Sequence, residues 1–260
     1  MARVLVLVPF PFDERGIAKR RAQLAYCRLN SDLTFDFRPV RAGPATFDSP
    51  HDLLLADISM YEAGMTAQDE GYDAVCLDTM SDSGMPALRS VLDIPVLGPG
   101  QASYLMALML GTRFSILAQW EPQIGARSKG LNDYNLTDRC VSMRSIEVPP
   151  DFENLLGGKK DVVIPKLIDA GRECVSDGAD VLILASTTMH EAHPYLADAL
   201  PIPVINPGPL TYKLAELALG LGLTHSRKAY PRPSVPKFGM AHAMLAAAEA
   251  AEFAMRESRG

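Results

Sequence analysis

The sequence lacks the long apolar runs that mark membrane and secreted proteins. No stretch of about 18 uninterrupted apolar residues occurs in the 260-residue chain, so we expect no membrane-spanning helix. The apolar opening at residues 4–8 is shorter than the core of a secretory signal and runs directly into Pro-Phe-Pro. These absences favour a soluble protein over a membrane-bound or exported one.

Cysteine and basic residues are also scarce. The four cysteines, Cys27, Cys76, Cys140 and Cys174, lie far apart, which suits neither a zinc site nor a small disulfide scaffold. We therefore predict no bound metal and a cytoplasmic location. The formal net charge is −6, and the basic residues around Arg20 fall in a predicted amphipathic helix, where we expect a solvated face. Nucleic-acid binding usually needs a basic surface, so we predict no such partner.

Motifs for cofactors and for the common hydrolytic nucleophile are missing too. No Gly-x-Gly-x-x-Gly sequence is present for a dinucleotide, and the glycines at 157–158 lack the spacing of a phosphate-binding loop. No Gly-x-Ser-x-Gly nucleophile elbow occurs either. The sequence therefore offers no motif for a dinucleotide, a phosphate-binding loop or a hydrolase nucleophile.

The most informative feature that is present is an internal repeat. Residues 71–77, Gly-Tyr-Asp-Ala-Val-Cys-Leu, recur as Gly-Ala-Asp-Val-Leu-Ile-Leu at 178–184, so that the two aspartates are 107 residues apart. Ile-Pro-Val at 94–96 recurs at 202–204, and each copy is followed by Pro-Gly and an apolar stretch. A period of this length indicates a duplicated α/β unit rather than a solenoid.

Each copy has the order expected of a parallel sheet, with apolar strands separated by helices. The fold class predicted is α/β, with two pseudo-symmetric doubly wound parallel-sheet domains that arose by duplication. We expect residues 1–98 plus about 208–260 in the first domain and residues 99–207 in the second. Strands are predicted at 3–8, 34–39, 74–77, 94–96, 114–117, 141–148, 181–184 and 202–204, and helices at 15–29, 50–69, 101–110, 159–176, 210–219 and 239–256.

Two turns of the repeat are the predicted positions of the chemistry. In open parallel sheets, ligands bind beyond the carboxyl ends of the strands, which here places residues 78–84 and 185–191 at a shared site. In the repeat, Thr79 corresponds to Ser186. Hydroxyls and helix-opening amides together suit a carboxylate or another small anion, although such residues are also ordinary helix caps.

The two turns, the Ile-Pro-Val strands and the run at 110–117 resemble the aspartate/glutamate/hydantoin racemase superfamily, in particular its hydantoin racemase branch. The similarity covers about residues 70–220 well and the N-terminal third more loosely. The resemblance implies two pseudo-symmetric α/β domains, no cofactor, a homo-oligomer, and a site between the domains for small carboxylates or cyclic ureides. In family racemases each turn carries a cysteine, and the two thiols move the proton on opposite faces of the stereocentre.

This chain departs from that pattern at both cysteine positions, which align with Thr79 and Ser186. An alcohol is a far weaker acid than a thiol and needs an adjacent base, so two-thiol racemisation is not available. We expect Cys76 to be an inert buried thiol. His190 lies four residues after Ser186 and is the candidate proton carrier, with a solvated first-turn side chain as the alternative. Asp82 is a candidate for orienting water or a hydroxyl, or else for complementing the helix dipole.

The catalytic residues predicted are therefore Thr79, Ser186, His190 and Asp82. The candidate substrate-binding residues follow the strands of both domains; they are Pro9, Phe10, Met80, Ser81, Gln119, Thr187 and Thr188.

We expect a cofactor-independent racemase-like isomerase that acts on a small amino-acid-related carboxylate or a cyclic ureide. Two alternatives stay open at this point. One is a hydrolase or a decarboxylase-like lyase that uses hydroxyl- or histidine-activated water on the same scaffold. The other is a small-ligand-binding protein that has lost its catalytic residues.

Overall fold

The computed structural model describes residues 1–148 and 160–257, and it contains two parallel sheets of four strands each. The first lobe has the strand order β2-β1-β3-β4 and the second has the order β6-β5-β7-β8. Every strand pair in both sheets is parallel. The two lobes are therefore pseudo-symmetric α/β domains, as the repeat predicts.

The helices and strands follow one another in the same order in both halves of the chain. The elements of the first half are β1 Ala2–Val8, α1 Glu14–Arg21, β2 Leu33–Pro39, α2 Pro50–Gly64, β3 Ala74–Leu77, α3 Met85–Val91, β4 Val96–Leu97 and α4 Pro99–Leu110. Those of the second half are β5 Phe114–Ala118, α5 Pro122–Asp133, β6 Cys140–Ser145, α6 Lys160–Ser176, β7 Val181–Leu184, α7 His193–Ala199, β8 Val204–Ile205, α8 Pro207–Leu221 and α9 Phe238–Glu257.

The central strands are apolar on both faces because helices cover each side of the sheet. In β1, Leu5 and Leu7 pack with α2 and α3, while Val4 and Val6 pack on the opposite side with α1 and α8. The second sheet is covered by α6 and α7 on one face and by α4 and α5 on the other. The short strands β4 and β8 lie at sheet edges, and each directly follows its Ile-Pro dipeptide, where a proline costs no ladder hydrogen bond.

The two halves exchange one helix each. Helix α4 leaves the first sheet and packs on the second, where the buried Tyr104 ring stacks near Phe114 at a centroid distance of 6.1 Å. Helix α8 leaves the second sheet and packs on the first, where Tyr212 contacts Phe35 and Phe37. These two helices also contact each other. The exchange joins the lobes and brings the carboxyl ends of their strands together.

The C-terminal residues return to the first lobe. The segment after α8 is held by Arg227, whose Nε donates to Asp93 Oδ1 at 2.8 Å. Helix α9 then packs on α2, with Ala241 and Leu245 buried and His242 Nδ1 lying 3.0 Å from Glu62 Oε1. None of the helices in the described part of the chain is both long and apolar enough to cross a membrane.

Several predicted helix bounds need correction. The first helix ends at Arg21 and continues as a 3₁₀ turn, Ala22–Tyr26, which lets the buried Gln23 side chain donate to Arg20 O at 3.1 Å. Helix α2 ends at Gly64 rather than residue 69. Helix α5 was not predicted, because its two glycines give it a weak helical signal. One of them, Gly130, lies against the Tyr104 ring, where a Cβ would make a tight contact at 3.2 Å.

Candidate active site between the lobes

The two predicted turns are in direct contact across the boundary between the lobes. The turn at 78–84 follows the end of β3, and the turn at 185–191 follows the end of β7. The Thr187 hydroxyl donates to the backbone carbonyl of Asp78 at 3.2 Å, and both residues are buried. The carboxyl ends of the two central strands therefore meet at one place, which is where parallel sheets bind ligands.

The corresponding hydroxyls of the two turns make the same hydrogen bonds. In the first lobe, Thr79 Oγ1 lies 2.9 Å from Ser81 Oγ and accepts from the Ser81 amide at 3.4 Å. In the second lobe, Ser186 Oγ lies 2.7 Å from Thr188 Oγ1 and accepts from the Thr188 amide at 3.2 Å. The duplication thus preserves a pair of bonded hydroxyls in each lobe at the positions that the sequence predicts.

The residue between the hydroxyls crosses to the other lobe in both turns. Met80 is buried in the core of the second lobe, beside Tyr104 and Ile183. Thr187, at the corresponding position, bonds the first lobe through Asp78 as described above. We predicted both as substrate-binding residues, and the structure gives each of them a contact that joins the lobes.

Asp82 caps a helix. Its Oδ1 accepts from the Gly100 amide at 2.8 Å and its Oδ2 accepts from the Gln101 amide at 2.6 Å, at the start of α4. The backbone of Asp82 has a φ of +52°, which an aspartate tolerates better than most residues. A carboxylate at a helix N-terminus satisfies free amides and complements the helix dipole. Of the two roles considered for Asp82, the structure shows the contacts of the second.

His190 lies near the end of the second turn, and it is buried with 6% of its surface exposed. A solvated side chain, the alternative considered above, is therefore wrong. Its Nδ1 lies 3.1 Å from the Thr187 carbonyl, which can only accept, so Nδ1 carries the hydrogen and Nε2 presents a lone pair. Nε2 has no hydrogen-bond partner among the described residues. Burial lowers the pKa of His190 below its usual value, so the ring is neutral at pH 7.

An ion pair beside this turn was not predicted. Arg20 Nε lies 3.2 Å from Asp78 Oδ2, and both side chains are buried. Gln23 Nε2 donates to the other carboxylate oxygen at 3.1 Å. The prediction of a solvated Arg20 was wrong because Asp78, distant in sequence, offers it a buried carboxylate. The one sequence signal was an aspartate at the end of an apolar strand, where the second copy has Ala185.

Aromatic side chains line the end of β1. The Phe10 ring is buried against Phe12 and Phe47, with centroid distances of 5.4 and 5.2 Å. The Arg20 guanidinium lies over Phe12 at 6.0 Å. Pro9 is buried too, and its carbonyl lies close to the backbone of Gly43. The first lobe therefore contributes an apolar wall beside the charged pair.

The second lobe contributes buried amides instead. Gln119 follows β5 and Asn206 follows β8, so they lie on either side of the strand that leads to Ser186. Gln119 Oε1 and both polar side-chain atoms of Asn206 have no hydrogen-bond partner among the described residues. Buried amides without partners are costly, which makes them candidates for ligand contacts. Asn206 was missed because Asn before Pro is an ordinary helix-start sequence.

The cysteines lie outside the two turns that form the candidate site. Cys76 is fully buried in β3, its Sγ is 3.9 Å from the Thr211 carbonyl, and burial raises the pKa of its thiol. Burial likewise raises the pKa of Cys140 to about 12. Neither turn contains a cysteine. Among the described residues, no group of three or more His, Cys, Asp or Glu side chains is placed to hold a metal ion.

Two similar parallel-sheet lobes that meet at the ends of their central strands define a two-lobed α/β enzyme scaffold. The family model described as Asp/Glu/hydantoin racemase matches residues 21–215. The chain therefore belongs to the Asp/Glu/hydantoin racemase family, and it is an enzyme of the isomerase type.

Relatives and solved structures agree with this assignment. The hydantoin racemase of Pseudomonas sp. (strain NS671) is 30% identical over 202 residues, which cover 76% of this chain and 79% of the relative. The allantoin racemase from Klebsiella pneumoniae has a TM-score of 0.80 at 22% identity, covering 91% of this chain and 95% of that one. Unliganded arylmalonate decarboxylase has a TM-score of 0.57 at 19% identity, covering 88% and 97%. The two structures show the shared fold.

Proposed function

We propose that this chain is a cofactor-independent isomerase that inverts a stereocentre next to a carbonyl, in a small cyclic ureide of the hydantoin type or a related amino-acid-derived carboxylate. The names of the relatives support the ureide, as do the buried amides Gln119 and Asn206, which match the alternating N–H and C=O groups of such a ring. The observation that carries the proposal is His190, a neutral buried base beside one of two matched hydroxyl pairs.

In the proposed step, His190 Nε2 takes the proton from the carbon next to the carbonyl. The C–H bond breaks, an N–H bond forms, and the electron pair moves to the carbonyl oxygen as an enolate. Hydroxyls and amides of the Ser186 turn stabilise that oxygen. Water relayed through the Thr79–Ser81 hydroxyl pair returns a proton to the opposite face, and His190 then releases its proton to solvent. The product is the other enantiomer.

The decisive experiment uses an enantiopure 5-substituted hydantoin in D₂O. We expect loss of optical purity together with one deuterium at the carbon next to the carbonyl, measured by chiral chromatography and mass spectrometry. A mass gain of one water would support the hydrolase instead. Tight binding without exchange or product, measured by calorimetry, would support a binding protein.

A lyase is the second candidate, because the described base stands on one lobe only. Decarboxylation of a disubstituted malonate breaks a C–C bond, releases CO₂ and leaves an enolate that needs a single proton on one face. A single base on one side of the substrate can protonate the enolate left by decarboxylation, just as it can exchange the proton next to a carbonyl. Release of CO₂ from 2-methyl-2-phenylmalonate with formation of one enantiomer of 2-phenylpropionate would support the lyase over the isomerase.

We also propose that the enzyme is a cytoplasmic homo-oligomer. The unpaired thiols Cys27, Cys76, Cys140 and Cys174 fit a reducing compartment. Helix α4 exposes Leu105 and Met109, and such apolar side chains are what a subunit contact buries. Light scattering after gel filtration would measure the oligomeric state, and a monomer at micromolar concentration would contradict this part of the proposal.

A further inference from the structure

The buried ion pair between Arg20 and Asp78 has no counterpart among the residues of the second lobe that the structure describes. The Asp78 side chain is fully buried and the Arg20 side chain is 6% exposed, at an Nε–Oδ2 distance of 3.2 Å. Charged side chains are almost never this buried unless paired, because each loses its hydration. The repeat places Ala185 where the first lobe has Asp78, so the pair breaks the symmetry of the site.

A continuous chain of contacts leads from this pair to His190. Arg20 Nη1 donates to Thr187 Oγ1 at 3.4 Å, and that hydroxyl donates in turn to the Asp78 carbonyl at 3.2 Å. The Thr187 carbonyl then accepts from His190 Nδ1 at 3.1 Å. Thr187 is therefore fixed by both members of the pair, and the histidine is fixed by Thr187.

The groups that face His190 come from both lobes. The Tyr26 ring lies edge-on at a centroid distance of 5.2 Å and belongs to the same 3₁₀ turn as Gln23, which bonds Asp78. Burial is the largest influence on the pKa of His190 and lowers it; Glu191 and Asp78 raise that pKa, and Arg20 lowers it. The two members of the ion pair thus act on the histidine with opposite signs.

We propose that Arg20 and Asp78 are positioning residues that hold the His190 ring through Thr187, and that their balanced charges set the electrostatic field at its free ring nitrogen. This inference rests on the proposed function for its catalytic meaning, since the position of His190 matters to catalysis only if His190 is the base. The predicted effects on the pKa and the tautomer of His190 can be measured without any substrate.

The test is a titration of the His190 ring by NMR in the full chain. The chain has five histidines, and the His190→Gln variant identifies the signal. Arg20→Met leaves Asp78 unbalanced, so we expect the pKa of His190 to rise. Asp78→Asn leaves Arg20 unbalanced, so we expect that pKa to fall. The Arg20→Met/Asp78→Asn double variant should bring the pKa back toward the wild-type value, because both charges are gone.

The matched control is Asp177→Asn, which removes one member of the Arg144–Asp177 ion pair of the second lobe, outside this chain of contacts. It should leave the His190 titration unchanged. Shifts in one common direction for the two single variants, or shifts no larger than that of Asp177→Asn, would overturn the inference.

A single unbalanced charge can prevent folding, so Thr187→Val provides a second route. This variant keeps both charges and the backbone carbonyl but removes the hydroxyl between them. We expect ¹⁵N shifts of the ring to show a mixture of tautomers in place of the Nδ1–H form, and an unchanged pattern would contradict the inference. Because no substrate is used, an enzyme inactive on every ureide and every amino-acid-derived carboxylate would refute the proposed function and leave this result standing.

Discussion

The turns at 78–84 and 185–191 occupy equivalent positions, each directly after the third strand of its lobe, but they carry different charged and basic side chains. Thr79 and Ser186 make the same hydrogen bonds, to a hydroxyl and to an amide two residues later. Around them the turns diverge, because the first has Asp78 paired with a buried arginine and the second has His190 with a free ring nitrogen. The hydrogen-bonded frame of the site is thus retained in both lobes, while its charges and its base are not.

The starts of the exchanged helices show the same divergence. Helix α4 is capped by the Asp82 carboxylate, whereas Asn206 at the start of α8 makes no side-chain capping bond. Pro207 and Pro209 supply no amide hydrogen to the first turn of α8, so little is left there to cap. The polar group at the start of α4 is paired with backbone amides, whereas the Asn206 side chain at the start of α8 has no hydrogen-bond partner among the described residues.

Of the variants that test the difference between the two turns, the one that removes the proposed base should lower activity most. We expect His190→Gln to lower kcat at least about a hundredfold, because proton transfer by a positioned side chain contributes that much or more. Deuterium exchange into the substrate is the measurement. His193→Gln is the control, since His193 Nε2 already bonds the Val204 carbonyl at 3.1 Å. Equal losses in the two variants would remove His190 from the mechanism.

Removal of one hydroxyl from each lobe tests whether the two pairs are equivalent. We expect Ser186→Ala to cost about a hundredfold in kcat, as loss of an oxyanion-stabilising donor does. Thr79→Val should cost less, since the Thr79 side chain is the more buried of the two and lies in the lobe without the base. A larger loss from Thr79→Val than from Ser186→Ala would reverse the assignment of the two lobes.

A matched pair of glycine substitutions compares the stability of the two helix starts. A Cβ on Gly100 would clash with the Met80 carbonyl, which is backbone and cannot move aside. A Cβ on Gly208 would clash with Gln23 Oε1, the end of a side chain that can shift only by weakening its bonds to Arg20 O and Asp78. We expect Gly100→Ala to cost about 2–3 kcal/mol in urea unfolding and Gly208→Ala about 1 kcal/mol. The reverse order would show that Gln23 is held more rigidly than the turn.

A change of pH should alter activity and stability less than any of these substitutions. In the proposed mechanism the active form of His190 is the neutral ring, and burial lowers its pKa below the usual 6.5. Activity should therefore persist as pH falls through 6.5 and decline only when pH reaches the lower folded-state pKa. Stability should begin to fall earlier, as pH drops below 6.5, and should go on falling until the folded-state pKa is reached, because the unfolded chain binds the proton first. An acid limb of kcat/KM at or above 6.5 that disappears in His190→Gln would show the opposite shift.

Much of the architecture could be predicted from the repeat. Both sheets and the positions of the two turns follow from apolar runs of strand length at matched offsets. Helix ends were less predictable, as in α2, which ends at Gly64 rather than residue 69, and α5 was missed because its two glycines weaken the helical signal. The contacts of Arg20, Met80 and Asp82 could not be predicted, because each depends on a partner that only the folded chain supplies.

By itself, the amino-acid sequence determined that this protein has two parallel-sheet lobes and that hydroxyls, not thiols, follow their central strands. Apolar periodicity and turn chemistry act over a few residues, so they are visible along the chain. Tertiary structure alone decided that His190 is buried and neutral, and that Arg20 reaches Asp78 while bonding Thr187, 167 residues away. Burial and ion pairing depend on which distant segments meet, and the meeting of the two lobes creates the site.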